Sequence, residues 1–545
     1  MIVLSGLPFL FRFLPVFLVI YYICPVRYRN AVLFLGSVFF YATGEPLFLL
    51  LLLGAVVVNY LTGRLIWRKP GSPKLGNTYA GLILGVAVDV LILAACKVLA
   101  LRSNTFALPL GLSFYIFKMI SYQADLFLGK IPERPEFIDT AAYFTMFPQV
   151  TQGPIMRYGD AFGADPAKRE PEEVKKEETK ESSPLEKEDK KEEAAEASAH
   201  ALRAKKEEAA EVSAHALRAQ LRRMKEKTSA EAGADNNREK HNGAASSQRS
   251  RRETIRKTDR RVSPLDFERG LVLLATGLAF KVLIADRIGI LWHEIGTIGY
   301  ESISTPLAWL GAYAYSLQLY FDFFGYSLIA GGVGVMLGFP MVVNFNDPYR
   351  AKGIADFYRR WHVTLGAWFR DYVYIPLGGS RKGPAVTVIN LLIVWLLTGL
   401  WHGGTLNFVI WGLVLGLFII SERFLVNGVM EKSPVLGRIH VWIVIPLTWV
   451  VFAISDLGQL KVYFCRLFPF FGVGSTLNPG DFLKYLQIYW PFFLVGILLS
   501  VTGTVKFLLM HRRNVLVTLL LTAAFWASIY MLVTTQGNAF MYFSF

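Results

Sequence analysis

Two histidines stand where this chain could do proton chemistry. His402 lies in Thr398-Gly399-Leu400-Trp401-His402-Gly403-Gly404, in the middle of an apolar run. His362 closes Phe357-Tyr358-Arg359-Arg360-Trp361-His362. Imidazole exchanges a proton near neutral pH, which suits a general base. Trp401 supplies a wall beside His402, and Gly403-Gly404 remove side-chain bulk, so a substrate can approach the backbone. The alternative for His402 is a core histidine bonded to a neighbouring helix. Around His362, Arg359, Arg360 and Arg370 offer planar forks that match phosphate oxygens. The same residues also read as head-group anchors of an interfacial helix. Asp322, in Tyr320-Phe321-Asp322-Phe323-Phe324-Gly325-Tyr326-Ser327, sits in an apolar run and needs a partner or a polar cavity. His293, His440 and His511 read as ordinary interfacial residues.

These side chains must be positioned by membrane helices. The chain has 545 residues, 53% hydrophobic and 14% aromatic. Its apolar runs predict about eleven transmembrane helices, each near the ~20 residues that cross a bilayer. The fold class is an all-α polytopic membrane protein with added re-entrant and interfacial helices. A net charge of +15 reads as basic cytoplasmic loops, and nucleic acid is not an expected partner. Cys24, Cys96 and Cys465 are scattered in apolar context and read as small buried hydrophobes. No Cys/His metal spacing, no GxxxxGKS loop and no GxSxG elbow occurs, which argues against a metal site and an ATP-driven pump.

Four regions follow in order. Residues 1–160 hold N-terminal transmembrane helices, with two helices split near Gly44-Glu45-Pro46 and a short apolar dip at 143–150 ending in Gln152-Gly153-Pro154. Residues 161–262 are rich in Lys, Arg and Glu and contain a tandem repeat, 190–204 against 205–219, that differs only at Ala197 and Val212. That insertion is too poor in apolar surface for a core, so it reads as a disordered or solvated helical cytoplasmic tether, or as a lipid-binding arm at its basic end. Its histidines, His200, His215 and His241, are no metal set. Residues 263–430 carry the chemistry, and 431–545 form C-terminal transmembrane helices.

At residues 109–114, 147–158, 320–327, 344–349, 359–362, 370–374, 377–381 and 399–408 the chain resembles the membrane-bound O-acyltransferase family, in the branch of the alginate O-acetylation protein AlgI. The resemblance implies an O-acyltransferase with a buried tunnel between a cytoplasmic donor and an outer-face acceptor. It implies His402 and His362 as catalytic and matches Asp322 to an acidic family position; Asp322, Trp401 and Asn407 stand as supporting candidates, and Arg359, Arg360 and Arg370, by their forks, as donor-binding candidates. No bound cofactor is implied; acetyl-CoA would be the donor substrate. Membrane lipids, a periplasmic SGNH-type acetyltransferase and polymer-export machinery are the implied partners, in a bacterial cytoplasmic (inner) membrane. The acceptor would be an exported polysaccharide or peptidoglycan. The insertion is longer than the family pattern, and the arginine of a Trp-Val-Phe-Phe-Arg-Ala-like helix is absent from Trp449-Val450-Val451-Phe452-Ala453. A transporter or channel for a polar solute is the reading from a different class.

Overall fold

The longest helix explains the rest. The computed structural model describes residues 3–69, 71–73, 76–103, 106–162, 262–426, 433–471 and 478–535, which belong to one compact unit. The charged insertion and its repeat lie outside the described residues.

In chain order, the helices used below are α1 (Phe9–Ile23), α2 (Arg29–Gly44), α3 (Leu49–Ile66), α4 (Gly76–Arg102) and α5 (Leu112–Phe127). Two short helices follow, α6 (Phe137–Thr145) and α7 (Phe147–Val150). After the insertion come α8 (Pro264–Ala279), a π-helical turn (Phe280–Ala285), α9 (Asp286–Ile298) and α10 (Thr305–Met336). Short helices α11 (Ile354–Arg360) and α12 (Val363–Phe369) lead to α13 (Pro384–His402), α14 (Leu406–Ser421), α15 (Pro434–Ala453), α16 (Asp481–Val501) and α17 (Val515–Thr534). No strand occurs among the described residues.

Eight of the described helices are long and apolar enough to cross a membrane, with α1 a shorter apolar helix beside them. The expected count of about eleven included segments that are shorter, such as the 16 residues of α5. The split near Gly44 separates α2 from α3 as expected. The apolar dip is two short helices, and every residue from 143 to 156 is buried by protein. A non-spanning segment at this depth is tolerated because protein, not lipid, surrounds it.

α10 runs 32 residues, and 94% of its most apolar window is buried inside the protein. Its first turn is fixed by the Ser304 side chain, which accepts from Leu307 N–H at 3.3 Å. Lipid tails are as apolar as leucine, so membrane helices gain contact by bringing backbones close at small residues. α8 and α10 meet in this way. A Cβ on Gly277 would lie 2.4 Å from the Gly325 carbonyl oxygen, and one on Gly270 would lie 2.6 Å from that of Gly332. The contact places the buried Lys281, on the π-helical turn, against α10. Its Nζ lies 2.5 Å from Asp286 Oδ1 and 3.1 Å from Asp322 Oδ1. Asp322 therefore finds the partner its apolar surroundings call for in Lys281.

The close contact is testable. Gly277→Ala is expected to cost roughly 1–3 kcal/mol by forcing the backbones apart. Gly54→Ala, where an added Cβ meets nothing within 4 Å, is expected to be neutral or to stabilise by up to about 1 kcal/mol. Thermal unfolding in detergent reads both, and equal melting temperatures for the two variants would contradict the packing account.

Candidate active site

The site assembles where three chain segments end or turn. α13 stops at His402, so this histidine stands at a helix C-terminus and not in mid-helix as the apolar run suggested. Gly403 is extended, and α14 begins just beyond Thr405. The two glycines also serve packing within the protein. A Cβ on Gly403 would lie 2.2 Å from the Phe408 ring, and one on Gly404 2.3 Å from Leu101. The room left by the missing side chains is thus filled by protein.

The His402 ring meets three aromatic rings edge-on. Centroid distances are 4.6 Å to Trp401, 5.0 Å to Trp411 and 5.2 Å to Phe452. Edge-to-face contacts of this kind add about 0.5–1.5 kcal/mol each beyond area burial, so the imidazole is held by rigid walls. It is nevertheless only partly buried.

Two cavities explain that exposure. The smaller, about 80 Å³, is bordered by the 108–114 segment, Thr151, Gln152, Trp401, Lys97 and His402. The larger, about 440 Å³, is bordered by residues 403–405, Asn407, Phe452, Ser455, Lys97 and His402. The second has the size of a small-molecule site. His402, Lys97 and Leu108 border both.

His362 is buried at 3% exposure, between α11 and α12, neither of which spans a membrane. Its backbone is left-handed, with φ of 46°, a conformation that costs a non-glycine residue on the order of 1–3 kcal/mol. The strand-like pairing around it holds that turn: Asn346 N–H donates to the Arg360 carbonyl and Val363 N–H to the Asn344 carbonyl, both at 2.9 Å. The Asn344 side chain completes the arrangement. Its Oδ1 accepts from Thr364 N–H at 3.3 Å and from the Thr364 hydroxyl at 2.8 Å, and lies 3.1 Å from His362 Nδ1. An oxygen already accepting from a backbone N–H requires the proton on Nδ1, which leaves a lone pair on Nε2. That Nε2 has no hydrogen-bond partner among the described residues. Burial pushes the imidazole down to about 3, so it is neutral at physiological pH. Phe323 meets the His362 ring edge-on at 4.7 Å, and the Trp401 ring stands 6.1 Å from it. Trp401 thereby neighbours both histidines, and its Nε1–H also lacks a hydrogen-bond partner among the described residues. Trp401 borders the smaller cavity, and a buried polar atom left open beside a cavity marks where a ligand or water atom belongs; His362 borders neither cavity.

The other sequence candidates divide. Asn407 is fully buried; its Nδ2 donates to the Val451 and Phe452 carbonyls at 3.3 and 2.9 Å, and Oδ1 accepts from the Thr405 hydroxyl at 2.6 Å. It ties the start of α14 to the end of α15 and so sets the Phe452 wall. Asp322 points to Lys281, while its neighbour Phe323 reaches His362. Arg359, Arg360 and Arg370 border neither cavity. Arg359 and Arg360 pair with Asp356 at 3.5 and 3.2 Å, and Arg370 pairs with Asp371 at 2.7 Å. Ala453, where the resemblance looked for an arginine, borders the larger cavity. Two residues were missed. Asn344 opens the motif-rich stretch, and that position was its only signal. Lys97, near the end of α4, donates to the carbonyls of Leu400, at 2.9 Å, and of Trp401. A lysine inside an apolar run was the available signal.

Comparison with known proteins gives a consistent picture. The membrane-bound O-acyltransferase family model matches residues 246–455. The "Probable alginate O-acetylase AlgI" of Pseudomonas aeruginosa is 31% identical over 487 residues, spanning 86% of this chain and 75% of that protein. The peptidoglycan O-acetyltransferase of Helicobacter pylori is 26% identical over 502 residues, spanning 83% and 77%. The teichoic acid D-alanyltransferase of Bacillus subtilis is 33% identical over 163 residues, spanning 28% and 41%.

The orientation of His362 can be probed directly. Asn344→Ala removes the acceptor of Nδ1–H and is expected to lower turnover about 10- to 100-fold, the effect of losing one or two buried hydrogen bonds. In the unaltered protein the His362 ring signal should show no titration between about pH 5 and 8. Because the folded imidazole is held neutral and the unfolded one titrates near its usual value, this group's stabilisation is full above about pH 6.5 and declines below it. A ring titration near pH 6.5 by NMR would contradict the buried, neutral assignment.

Proposed function

The chain belongs to the membrane-bound O-acyltransferase family, and from that premise we propose that it moves an acetyl group from acetyl-CoA to hydroxyls of an exported polysaccharide or peptidoglycan. The relatives named for acetylating alginate and peptidoglycan align over most of this chain, whereas the D-alanyltransferase aligns over 28% of it. That difference favours an acetyl group on a glycan. A bacterial cytoplasmic membrane fits such a role, with transfer either direct or through a periplasmic partner enzyme.

The observation that carries the reading is the place of His402 on the border of two cavities. One cavity brings the thioester and the other the hydroxyl. His402 takes the hydroxyl proton as the oxygen attacks the thioester carbonyl carbon. The new C–O bond forms, and the carbonyl electron pair moves onto its oxygen, to which Trp401 Nε1–H donates. Collapse breaks the C–S bond, and the imidazolium passes its proton to the departing sulfur. The products are an ester and a free thiol, with no net proton released. His362 presents a lone pair at Nε2, so it suits accepting a hydrogen bond from a substrate N–H or O–H. Stabilising the developing negative charge falls to Trp401. Arg359, Arg360 and Arg370, outside both cavities, could meet donor phosphates only at the protein surface.

No structural feature favours the transport reading. The two part on thiol release: purified protein with acetyl-CoA and a glycan acceptor should liberate free thiol, and a transporter would not. His402→Ala is expected to lower that rate at least about 100-fold while eluting as the wild type does in detergent. Wild-type thiol release by this variant would take His402 out of the mechanism.

A further inference from the structure

We infer that Lys97 is a positioning residue for the acyl transfer, holding the end of α13 so that His402 stays between the two cavities. The inference rests on the acyl-transfer reading above. The last carbonyls of any helix have no partner within it, and at the end of α13 Trp401 is buried while Leu400 is exposed. An unpaired carbonyl that faces apolar protein or lipid is costly. Lys97, reaching across from α4, donates to two of these carbonyls, those of Leu400 and Trp401. The two residues immediately precede His402 in sequence. The three aromatic rings around His402 constrain its imidazole, whereas Lys97 holds the backbone just before it.

The charge of Lys97 has a second consequence. A helix C-terminus carries roughly half a negative charge, and here it lies next to the reacting atoms. Acyl transfer builds negative charge, first on the carbonyl oxygen and then on the leaving sulfur. An ammonium on those carbonyls offsets the opposing helix potential. Among the described residues that border either cavity, Lys97 is the one charged side chain apart from any charge on His402. A lysine near a helix end ordinarily extends toward the membrane surface. This one turns instead to the carbonyls of a neighbouring helix, and it borders the same two cavities as His402.

The test uses the full-length protein in detergent, assayed for thiol release from acetyl-CoA. Lys97→Met removes donors and charge, Lys97→Gln keeps a donor without charge, and Lys97→Arg keeps both. Lys97→Met is expected to lower kcat about 10- to 100-fold, with KM for acetyl-CoA within about threefold of wild type. Lys97→Gln should fall between, and Lys97→Arg should restore kcat to within about threefold. If Lys97→Met does not fold, as judged by gel filtration, the Gln and Arg variants still decide. The inference is overturned if kcat is unchanged without the charge, if the loss lies in KM alone, or if Lys97→Arg is as impaired as the uncharged variants. His402→Ala is run in parallel. Full activity in that variant removes the site reading itself; lost activity there with Lys97 variants unchanged removes only the role of Lys97.

Discussion

A helix that stops among apolar groups needs partners for its last carbonyls, and α13 finds one in a neighbouring helix. Its end at His402 is held by Lys97 from α4. The facing end of α15 presents the same problem, and there Asn407 donates to the carbonyls of Val451 and Phe452. Both solutions adjoin one imidazole, through Trp401 and Phe452. Backbone satisfaction and placement of the site are thus a single arrangement, because the groups that cap these ends also border the larger cavity.

The scaffold around that arrangement is rigid for a related reason. Small residues let helix backbones touch, as at Gly270 and Gly277 against α10 and at Gly399 and Gly412 between α13 and α14. The second contact fixes the segment that carries Trp401 and His402 relative to Phe408 and Trp411. On α10, adjacent residues point in different directions around the helix. Asp322 can therefore be held by Lys281 while Phe323 packs on His362. A buried ion pair on one side and an aromatic contact on the other tie the central helix to the site.

The two histidines differ in kind. His362 is enclosed, neutral and oriented by Asn344, with its left-handed backbone held by the paired 344–346 and 360–363 segments. His402 is partly open and stands between cavities. Trp401 links them through ring contacts at 6.1 and 4.6 Å. The two imidazoles thus differ in access: His402 faces open space, and His362 holds a fixed lone pair within the protein.

Much of this was legible in the amino-acid order. Apolar runs of spanning length marked α4, α10, α13 and the C-terminal helices, because a bilayer tests length and hydropathy locally. The same reading selected His402, His362, Trp401 and Asn407, since polar groups in apolar context stand out by composition. It placed the break at Gly44 and the dip before Gly153-Pro154, where local backbone chemistry decides. Partners were another matter. Asp322 pairing with Lys281, His362 with Asn344, and the carbonyls of Leu400 and Trp401 with Lys97 join positions 41, 18 and about 300 residues apart. The outward pairing of Arg359, Arg360 and Arg370 with acids was equally hidden, as motif spacing is indifferent to which way a side chain turns. Sequence determined which groups were costly to bury; only the packing of distant helices decided which neighbour would meet each one, because hydrogen bonds and ion pairs depend on distance in space.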